Sequence, residues 1–215
     1  MPVDAERLTI AFITGVTLTK WTTAWQERHP RIPLAFVPTD ADAQVAVLHR
    51  RDADVSFVRL PIAGDGLSVI PLYSEAAVVV LPKDHPLAEA SSITLDDLAA
   101  EDRVSDALAA ADAVELVAAG GGIVLLPQSI ARANTRKDVV ARPVVDAAET
   151  RIAIAWLADR TTPEIEEFVG IVRGRTANSS RSPQEPVVAP KAPPKPAVRK
   201  PKPITGRTRP RKPRR

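Results

Sequence analysis

The 215-residue chain divides near residue 174 into two parts of opposite charge. Residues 1–173 contain 16 lysines and arginines against 25 aspartates and glutamates, whereas residues 174–215 contain 13 against one, Glu185. The net charges are therefore −9 and +12, and this asymmetry predicts a polyanionic partner for the basic part. The absence of cysteine excludes disulfides, thiolate metal sites and cysteine nucleophiles.

Neither a secretory signal nor a membrane span is predicted from the sequence. The first ten residues include Asp4 and Glu6 and contain no long apolar core, which a signal peptide would need. Apolar runs such as residues 76–82 are far too short to cross a bilayer. The expectation is a cytoplasmic protein without a membrane partner.

The first 60 residues predict a parallel sheet. Apolar, partly β-branched runs at 8–13, 32–37 and 53–60 are typical of buried strands. The predicted helix after the first strand carries Trp21 and Trp25 on one face, which indicates a role in core or lobe packing or, if that face is exposed, in a dimer surface. A second helix is predicted to open at residues 38–40. Strands that alternate with helices indicate a parallel α/β sheet with right-handed crossovers.

The rest of the first 173 residues continues the α/β pattern. Helices are predicted at 107–119, 128–134 and 164–173, and the third begins at Thr162-Pro163, a favoured start for a helix. Further strands are predicted at 67–73, 76–82, 123–127, 139–145 and 150–159. Beyond Gly174 no periodicity remains.

Several local strings, in order, resemble a known family. They are ERHPRIPL (27–34), RRDADVSFVR (50–59), KDHPL (83–87), ITLDDLA (93–99), VELVAAGGGIVLLPQSIA (114–131) and IAIAWL (152–157). Over about residues 7–173 the chain resembles the effector-binding (substrate-binding) domain of LysR-type transcriptional regulators. That domain is a two-lobed α/β module similar to type 2 periplasmic binding proteins.

The resemblance implies a domain organisation. A LysR substrate-binding-like domain is expected over 1–173, followed by a disordered Pro/Lys/Arg-rich tail over 174–215. Within the domain, the first lobe is expected over about 7–82 plus 150–173, and the second over about 83–149. Two departures stand out: the family's N-terminal helix-turn-helix is absent from this sequence, and the stretch between Leu98 and Val114 is shortened. The second lobe is therefore expected to be truncated.

The turn after the first predicted strand is the first candidate site. Ligands of open α/β sheets bind beyond the carboxyl ends of strands, and helix N-terminal amides favour anions. The candidate ligand-binding residues in this turn are Thr14, Gly15, Val16 and Thr17. By the resemblance, the two threonines would donate hydroxyl groups to a small effector. In the alternative interpretation, they only cap the following helix.

Two further candidates are Arg59 and the glycines Gly121 and Gly122. Arg59 ends the third predicted strand, where it would either face the cleft and bind a carboxylate or serve as a surface or ion-pair residue. The glycines would bring the backbone close to a ligand or, alternatively, end the preceding helix, because glycine tolerates the left-handed cap conformation. No lysine-serine/threonine pair follows them, which excludes a phosphate loop.

The sequence offers no support for catalysis or for a bound metal. His29, His49 and His85 are scattered without metal-ligand spacing, and no Gly-x-Ser-x-Gly motif is present. We therefore predict neither an enzyme nor a cofactor.

The C-terminal 33 residues alternate proline with lysine or arginine. Proline blocks helix and sheet hydrogen bonding, and few large apolar residues are present, so an extended chain is expected. The candidate nucleic-acid-binding residues are Arg199, Lys200, Lys202, Arg207, Arg209, Arg211, Lys212, Arg214 and Arg215. They would contact phosphates without reading the base sequence. The alternatives are a solubilising tail and a tail that binds another polyanion or an acidic protein surface.

These observations lead to one main hypothesis and two rivals. The main hypothesis is a transcription-related regulatory protein, cytoplasmic or nucleoid-associated, whose basic tail binds DNA non-specifically. The first rival is a small-molecule binding module, of the carboxylate type, whose tail is only a tether. The second is a protein-interaction subunit that forms a homodimer or pairs with LysR-type regulators.

Overall fold

The computed structural model describes residues 7–174, which form a mixed α/β structure. The strands in this range are β1 (Leu8–Ile13), β2 (Leu34–Thr39), β3 (Val55–Leu60), β4 (Leu67–Glu75), β5 (Ala77–Pro82), β6 (Val124–Pro127), β7 (Val139–Pro143) and β8 (Thr150–Leu157). The α-helices are α1 (Thr19–Arg28), α2 (Ala46–His49), α3 (Ala110–Ala118), α4 (Gln128–Ala133) and α5 (Pro163–Val172). Short 3-10 helices lie at Pro86–Glu89, Asp96–Leu98 and Ala158–Arg160.

The first sheet contains five strands in the order β2-β1-β3-β8-β4. β1 runs parallel to β2 and β3, as the alternating pattern predicts, and β8 runs antiparallel to β3 and β4. The carboxyl ends of β1, β2 and β3 therefore meet at one edge of this sheet. That edge is where ligands of open α/β sheets bind.

The second sheet contains three antiparallel strands in the order β6-β5-β7. The chain reaches it through Ala76, which separates β4 from β5, and returns to the first sheet between β7 and β8. We call the parts of the molecule built on the first and second sheets the first lobe and the second lobe. The described part of the chain thus has the predicted two-lobed α/β architecture.

The expected boundary between the lobes is wrong at residues 77–82. The sequence assigns this run to the first lobe, but β5 is the central strand of the second sheet. The reason is that β4 stays paired with β8 as far as Glu75, opposite Thr150. β5 then pairs with β6 and β7 instead. The first lobe therefore ends its first segment at Glu75.

The helix predicted to open at residues 38–40 is also shorter than expected. β2 stays in parallel register with β1 through Thr39, which pairs with Ile13, so Pro38 lies in a strand. β2 is an edge strand, where a proline is tolerated because its missing N–H can face solvent. The helix itself is reduced to the four residues of α2.

Aromatic rings from α1, β3 and α5 form the core of the first lobe. Trp25, Phe57 and Phe168 are fully buried. Trp21 stacks on Phe57 at 4.9 Å between ring centroids, and Trp25 meets Phe168 edge to face at 5.8 Å. The Trp25 indole N–H also donates to the carbonyl oxygen of Ile32, at 2.9 Å. The predicted packing role of the α1 tryptophans is confirmed.

No helix in the range 7–174 is long and apolar enough to span a bilayer.

The aromatic core provides a stability test. Phe168→Ala is expected to lower the free energy of unfolding by about 3–5 kcal/mol, because it leaves a cavity beneath Trp25 and Phe57. Phe36→Ala is the matched control, since the Phe36 side chain is 46% exposed on edge strand β2 and its loss should cost about 1 kcal/mol or less. Urea unfolding monitored by tryptophan fluorescence measures both; similar losses would contradict the described core.

Candidate ligand-binding cleft

A cleft of about 780 Å³ lies between the two lobes. The first lobe contributes the segments that follow β1 and β2 and the end of β3, as expected for the carboxyl edge of a parallel sheet. The second lobe contributes the start of α3, the loop before it and part of α4. The lining residues are Ile13, Thr14, Thr39, Asp40, Ala41, Asp42, Arg59, Asp106, Ala107, Leu108, Ala109, Ala110, Ala111, Ile130 and Asn134.

The predicted turn at residues 14–17 lies between the lobes. Thr14 lines the cleft, whereas Gly15, Val16 and Thr17 line a smaller adjoining cavity of about 290 Å³ beside α4. Neither threonine caps α1, because that helix has Leu18 at its N-cap position and no side-chain cap hydrogen bond. The structure therefore gives no support to the capping interpretation.

Gly15 brings the backbone of this turn close to the second lobe. Its φ of +95° lies in the left-handed region, which favours glycine. A Cβ atom added at Gly15 would lie 2.3 Å from the hydroxyl oxygen of Ser129, at the start of α4. The absence of a side chain at Gly15 therefore allows the two lobes to touch here.

Arg59 both lines the cleft and forms a buried ion pair. Its Nη2 atom donates to the Oε2 atom of Glu75 at 2.7 Å and to the Ser129 hydroxyl at 3.3 Å. The two paired side chains are only 16% and 7% exposed. Glu75 is the last residue of β4 before the chain crosses to the second lobe. Arg59 is thus both a cleft residue and an ion-pair residue, two roles that the sequence alone leaves as alternatives.

Gln44 holds the backbone of Arg59 in place. Its buried side-chain amide accepts from the Arg59 N–H at 2.8 Å and donates to the Arg59 carbonyl at 3.1 Å. The Gln44 carbonyl oxygen in turn accepts from the Ser56 hydroxyl at 2.8 Å. These hydrogen bonds connect the loop after β2 to β3. They therefore fix the two first-lobe segments that line the cleft relative to each other.

Sequence reasoning missed Gln44, Glu75 and Ser129. For Glu75 a signal existed, because it is a single carboxylate between two apolar strands, and charges in such positions are buried only when paired. Gln44 and Ser129 carry no comparable signal, because their partners lie 15 and 70 residues away along the chain.

The two candidate glycines lie elsewhere in the second lobe. Gly121 and Gly122 follow the end of α3, and neither lines the cleft. A Cβ atom at Gly122 would lie 2.2 Å from the carbonyl oxygen of Asp102, and one at Gly121 would meet Leu116. The structure places these glycines in close backbone packing and does not bring them together with Thr14 and Arg59.

The nine candidate tail residues, Arg199 to Arg215, lie outside the described residues. Within residues 7–174, no group of three or more histidine, aspartate or glutamate side chains is arranged to hold a metal ion.

Two α/β lobes joined by crossing chain segments, with a cleft between them, define a bilobal ligand-binding module. Comparison with known proteins identifies the kind of module: a model of the LysR substrate binding domain matches residues 3–107 and 103–177. The chain therefore belongs to the LysR substrate-binding domain family, whose members are regulatory domains of transcription factors and not enzymes. The two matched segments meet at 103–107, inside the shortened stretch between Leu98 and Val114.

Curated relatives are regulators of this type. The Hca operon transcriptional activator HcaR of Escherichia coli K12 is 26% identical over 207 residues, covering 81% of this chain and 70% of that protein. A probable hydrogen peroxide-inducible genes activator of Mycobacterium avium is 28% identical over 173 residues, covering 68% of this chain. The chain spans about half, 51%, of the mycobacterial protein's length.

Solved structures share the fold. The effector-binding domain of BenM with its effector benzoate superposes with a TM-score of 0.65 at 21% identity, covering 78% of this chain and 90% of that domain. The reduced OxyR regulatory domain of Pseudomonas aeruginosa gives a TM-score of 0.63 at 20% identity, covering 79% and 95%. LysR-type regulators bind small-molecule effectors and oligomerise.

Tyr73, the only tyrosine in the chain, lies near the ion pair and can report on it. Burial raises the pKa of its phenol, the negative charge of Glu75 raises it further, and the positive charge of Arg59 lowers it. We expect Glu75→Gln to lower the Tyr73 pKa, because the phenolate loses a repulsive neighbour. Near-ultraviolet absorbance during an alkaline titration measures the change.

The control for this titration is Asp65→Asn, which removes an exposed carboxylate from the loop before β4. This substitution should leave the Tyr73 pKa unchanged. An unchanged titration in Glu75→Gln, with circular dichroism showing a folded protein, would contradict the described arrangement of Tyr73, Glu75 and Arg59.

The contact at Gly15 generates a second prediction for this site. Gly15→Ala and Gly66→Ala both place a side chain at a positive φ, at a cost of about 1–2 kcal/mol. Only Gly15→Ala also forces a Cβ against Ser129, because nothing lies within 4 Å of a Cβ at Gly66. We expect Gly15→Ala to lose about 1–3 kcal/mol more than Gly66→Ala in denaturant unfolding. Equal losses would show that the two lobes do not touch at Gly15.

Proposed function

We propose that this chain is a transcription-related regulatory protein, cytoplasmic like LysR-type regulators, whose cleft binds a small-molecule effector. The observation that carries the proposal is the cleft itself, about 780 Å³ in volume and lined by both lobes. A ligand that contacts both walls stabilises one arrangement of the lobes, and a preference for one state is what a regulatory domain requires. Family membership supports the same conclusion.

Within the cleft, Thr14 and Arg59 are the proposed ligand contacts among the sequence candidates. Arg59 Nε and the hydroxyl oxygen of Thr39 are buried and make no hydrogen bond within residues 7–174. Both belong to lining residues, and buried polar atoms are normally hydrogen-bonded. Gly15, Val16 and Thr17 shape the adjoining cavity beside α4. Gly121 and Gly122 lie outside the lining, so their contribution would be to the packing of the second lobe.

Ligand-induced stabilisation tests the effector proposal. A small molecule that binds the folded state at about 100 times its Kd stabilises the protein by about 2.7 kcal/mol. The melting temperature of the full chain should therefore rise by about 5 °C or more with a cleft ligand from a small-molecule panel.

A blocked cleft provides the matched control. Ala107→Trp fills the cleft from the loop before α3 and should abolish the rise in melting temperature. Ala63→Trp, at an exposed alanine outside the lining, should keep it. A rise that survives Ala107→Trp would assign the ligand to another part of the molecule.

The basic tail is the second part of the proposal and rests on sequence alone. Residues 174–215 carry 13 basic residues and one acidic residue, and the proposed phosphate contacts are the nine from Arg199 to Arg215. If about six to ten cations engage phosphates, the affinity for DNA should fall by ~10³–10⁵ between ~50 and ~200 mM salt. Such binding would be independent of base sequence and compatible with association with the nucleoid.

Gel-shift titrations of the full chain test the tail. Replacing the nine residues with glutamine should abolish DNA binding. The control replaces nine exposed basic residues of the described part with glutamine: Lys20, Arg31, Lys83, Arg103, Arg132, Lys137, Arg151, Arg160 and Arg173. Equal binding by the two variants would refute the tail proposal and favour a tail that serves only as a tether.

Pairing belongs to the proposal as well, because regulators of this family oligomerise. The partner would be a second copy of this chain or a full-length LysR-type regulator.

A further inference from the structure

The walls of the cleft carry three aspartates that have no charged partner among residues 7–174. Asp40 and Asp42 follow β2 in the first lobe, and Asp106 precedes α3 in the second lobe. Their carboxylates make no hydrogen bond or ion pair to another residue in the range 7–174. Both lobes therefore present negative charge to the same space.

Arg59 is the only cationic side chain among the lining residues of this cleft, and its charge is already balanced. Glu75 accepts from Arg59 at 2.7 Å, and the Glu75 carboxylate is 93% buried, given a side-chain exposure of 7%. An ion pair at this distance with so little solvent is screened far less than an exposed pair. An anion in the cleft would therefore meet a guanidinium whose field is largely cancelled.

The start of α3 is the remaining positive feature of the lining. Ala109, Ala110 and Ala111 line the cleft, and no side chain caps this end of the helix. A helix N-terminus corresponds to roughly half a positive charge. Asp112 in the first turn and Asp106 just before the helix offset it. The summed charge that residues 7–174 place around the cleft is thus negative.

We propose that Glu75 makes the cleft selective for small molecules that carry a protonated amine, because it neutralises Arg59 and leaves Asp40, Asp42 and Asp106 as unbalanced charge. Glu75 acts here as a specificity-determining residue through Arg59, without touching the ligand. This inference rests on the proposed effector-binding function of the cleft. It differs from the carboxylate ligand that the sequence alone suggests.

Paired probes of one carbon skeleton and opposite charge test the proposal. Benzylamine is compared with benzoate, and putrescine with succinate, by thermal melting and calorimetry of the full chain at one ionic strength. Three exposed carboxylates together should favour each amine over the matching acid by on the order of tenfold in Kd. In Glu75→Gln, which uncovers the charge of Arg59, this preference should shrink by a similar factor.

A triple variant keeps the test independent of any folding defect in Glu75→Gln. Asp40→Asn, Asp42→Asn and Asp106→Asn together remove the exposed charge of the cleft and should abolish the amine preference. The control carries Asp65→Asn, Asp84→Asn and Asp159→Asn, an equal change of charge at exposed sites outside the lining, and should keep it. The basic tail is the same in every variant.

The outcomes separate this inference from the proposed function. An amine preference that is kept in the control triple variant and lost in the cleft triple variant supports both. Binding of the acids in preference to the amines overturns the charge selectivity and leaves effector binding intact. An amine preference that persists in the cleft triple variant also overturns the inference. If no probe binds any variant, the effector proposal and this inference both fail.

Discussion

The buried ion pair between Arg59 and Glu75 is the constraint on which the arrangement of the two lobes depends. It joins the end of β3 to the point where the chain leaves β4 for the second lobe, and it extends to Ser129 of α4. Removing one partner of a buried pair costs about 3–5 kcal/mol, because the other charge is left unpaired. The neighbouring backbone is fixed as well, since the Gln128 N–H donates to the Ala76 carbonyl at 3.0 Å. The crossing point is therefore held by both side-chain and backbone hydrogen bonds.

The same pair links stability to recognition. A guanidinium at the edge of a parallel sheet would ordinarily be a binding group for anions. Here its Nη2 atom is committed to Glu75 and Ser129, and its buried Nε atom has no hydrogen-bond partner within residues 7–174. The charge that a ligand meets then comes mainly from the exposed aspartates around the cleft. The buried carboxylate of Glu75 thus removes the preference for anions that Arg59 alone would give the cleft.

Much of the first lobe could be predicted from local patterns. Residues 8–13 form β1 as expected, and the one-face spacing of Trp21 and Trp25 anticipates their packing against Phe57 and Phe168. The sheet to which β5 belongs could not be predicted, because a short apolar run pairs equally well in either sheet and its partners are distant in sequence. The position of Glu75 between two apolar strands indicates a buried, paired carboxylate, but Arg59 could not be predicted as its partner, because the two residues lie 16 positions apart in the sequence. The turn at 14–17 was recognisable because strand and helix signals meet there.

Gly15 has a consequence for how closely the two lobes can pack. The turn lies against Ser129 with no room for a side chain, because a Cβ atom at Gly15 would lie 2.3 Å from the Ser129 hydroxyl oxygen. Every substitution at Gly15 adds atoms, and none can remove any. The size of the residue at position 15 therefore sets how closely the turn and the start of α4 can pack, and any side chain there would push them apart.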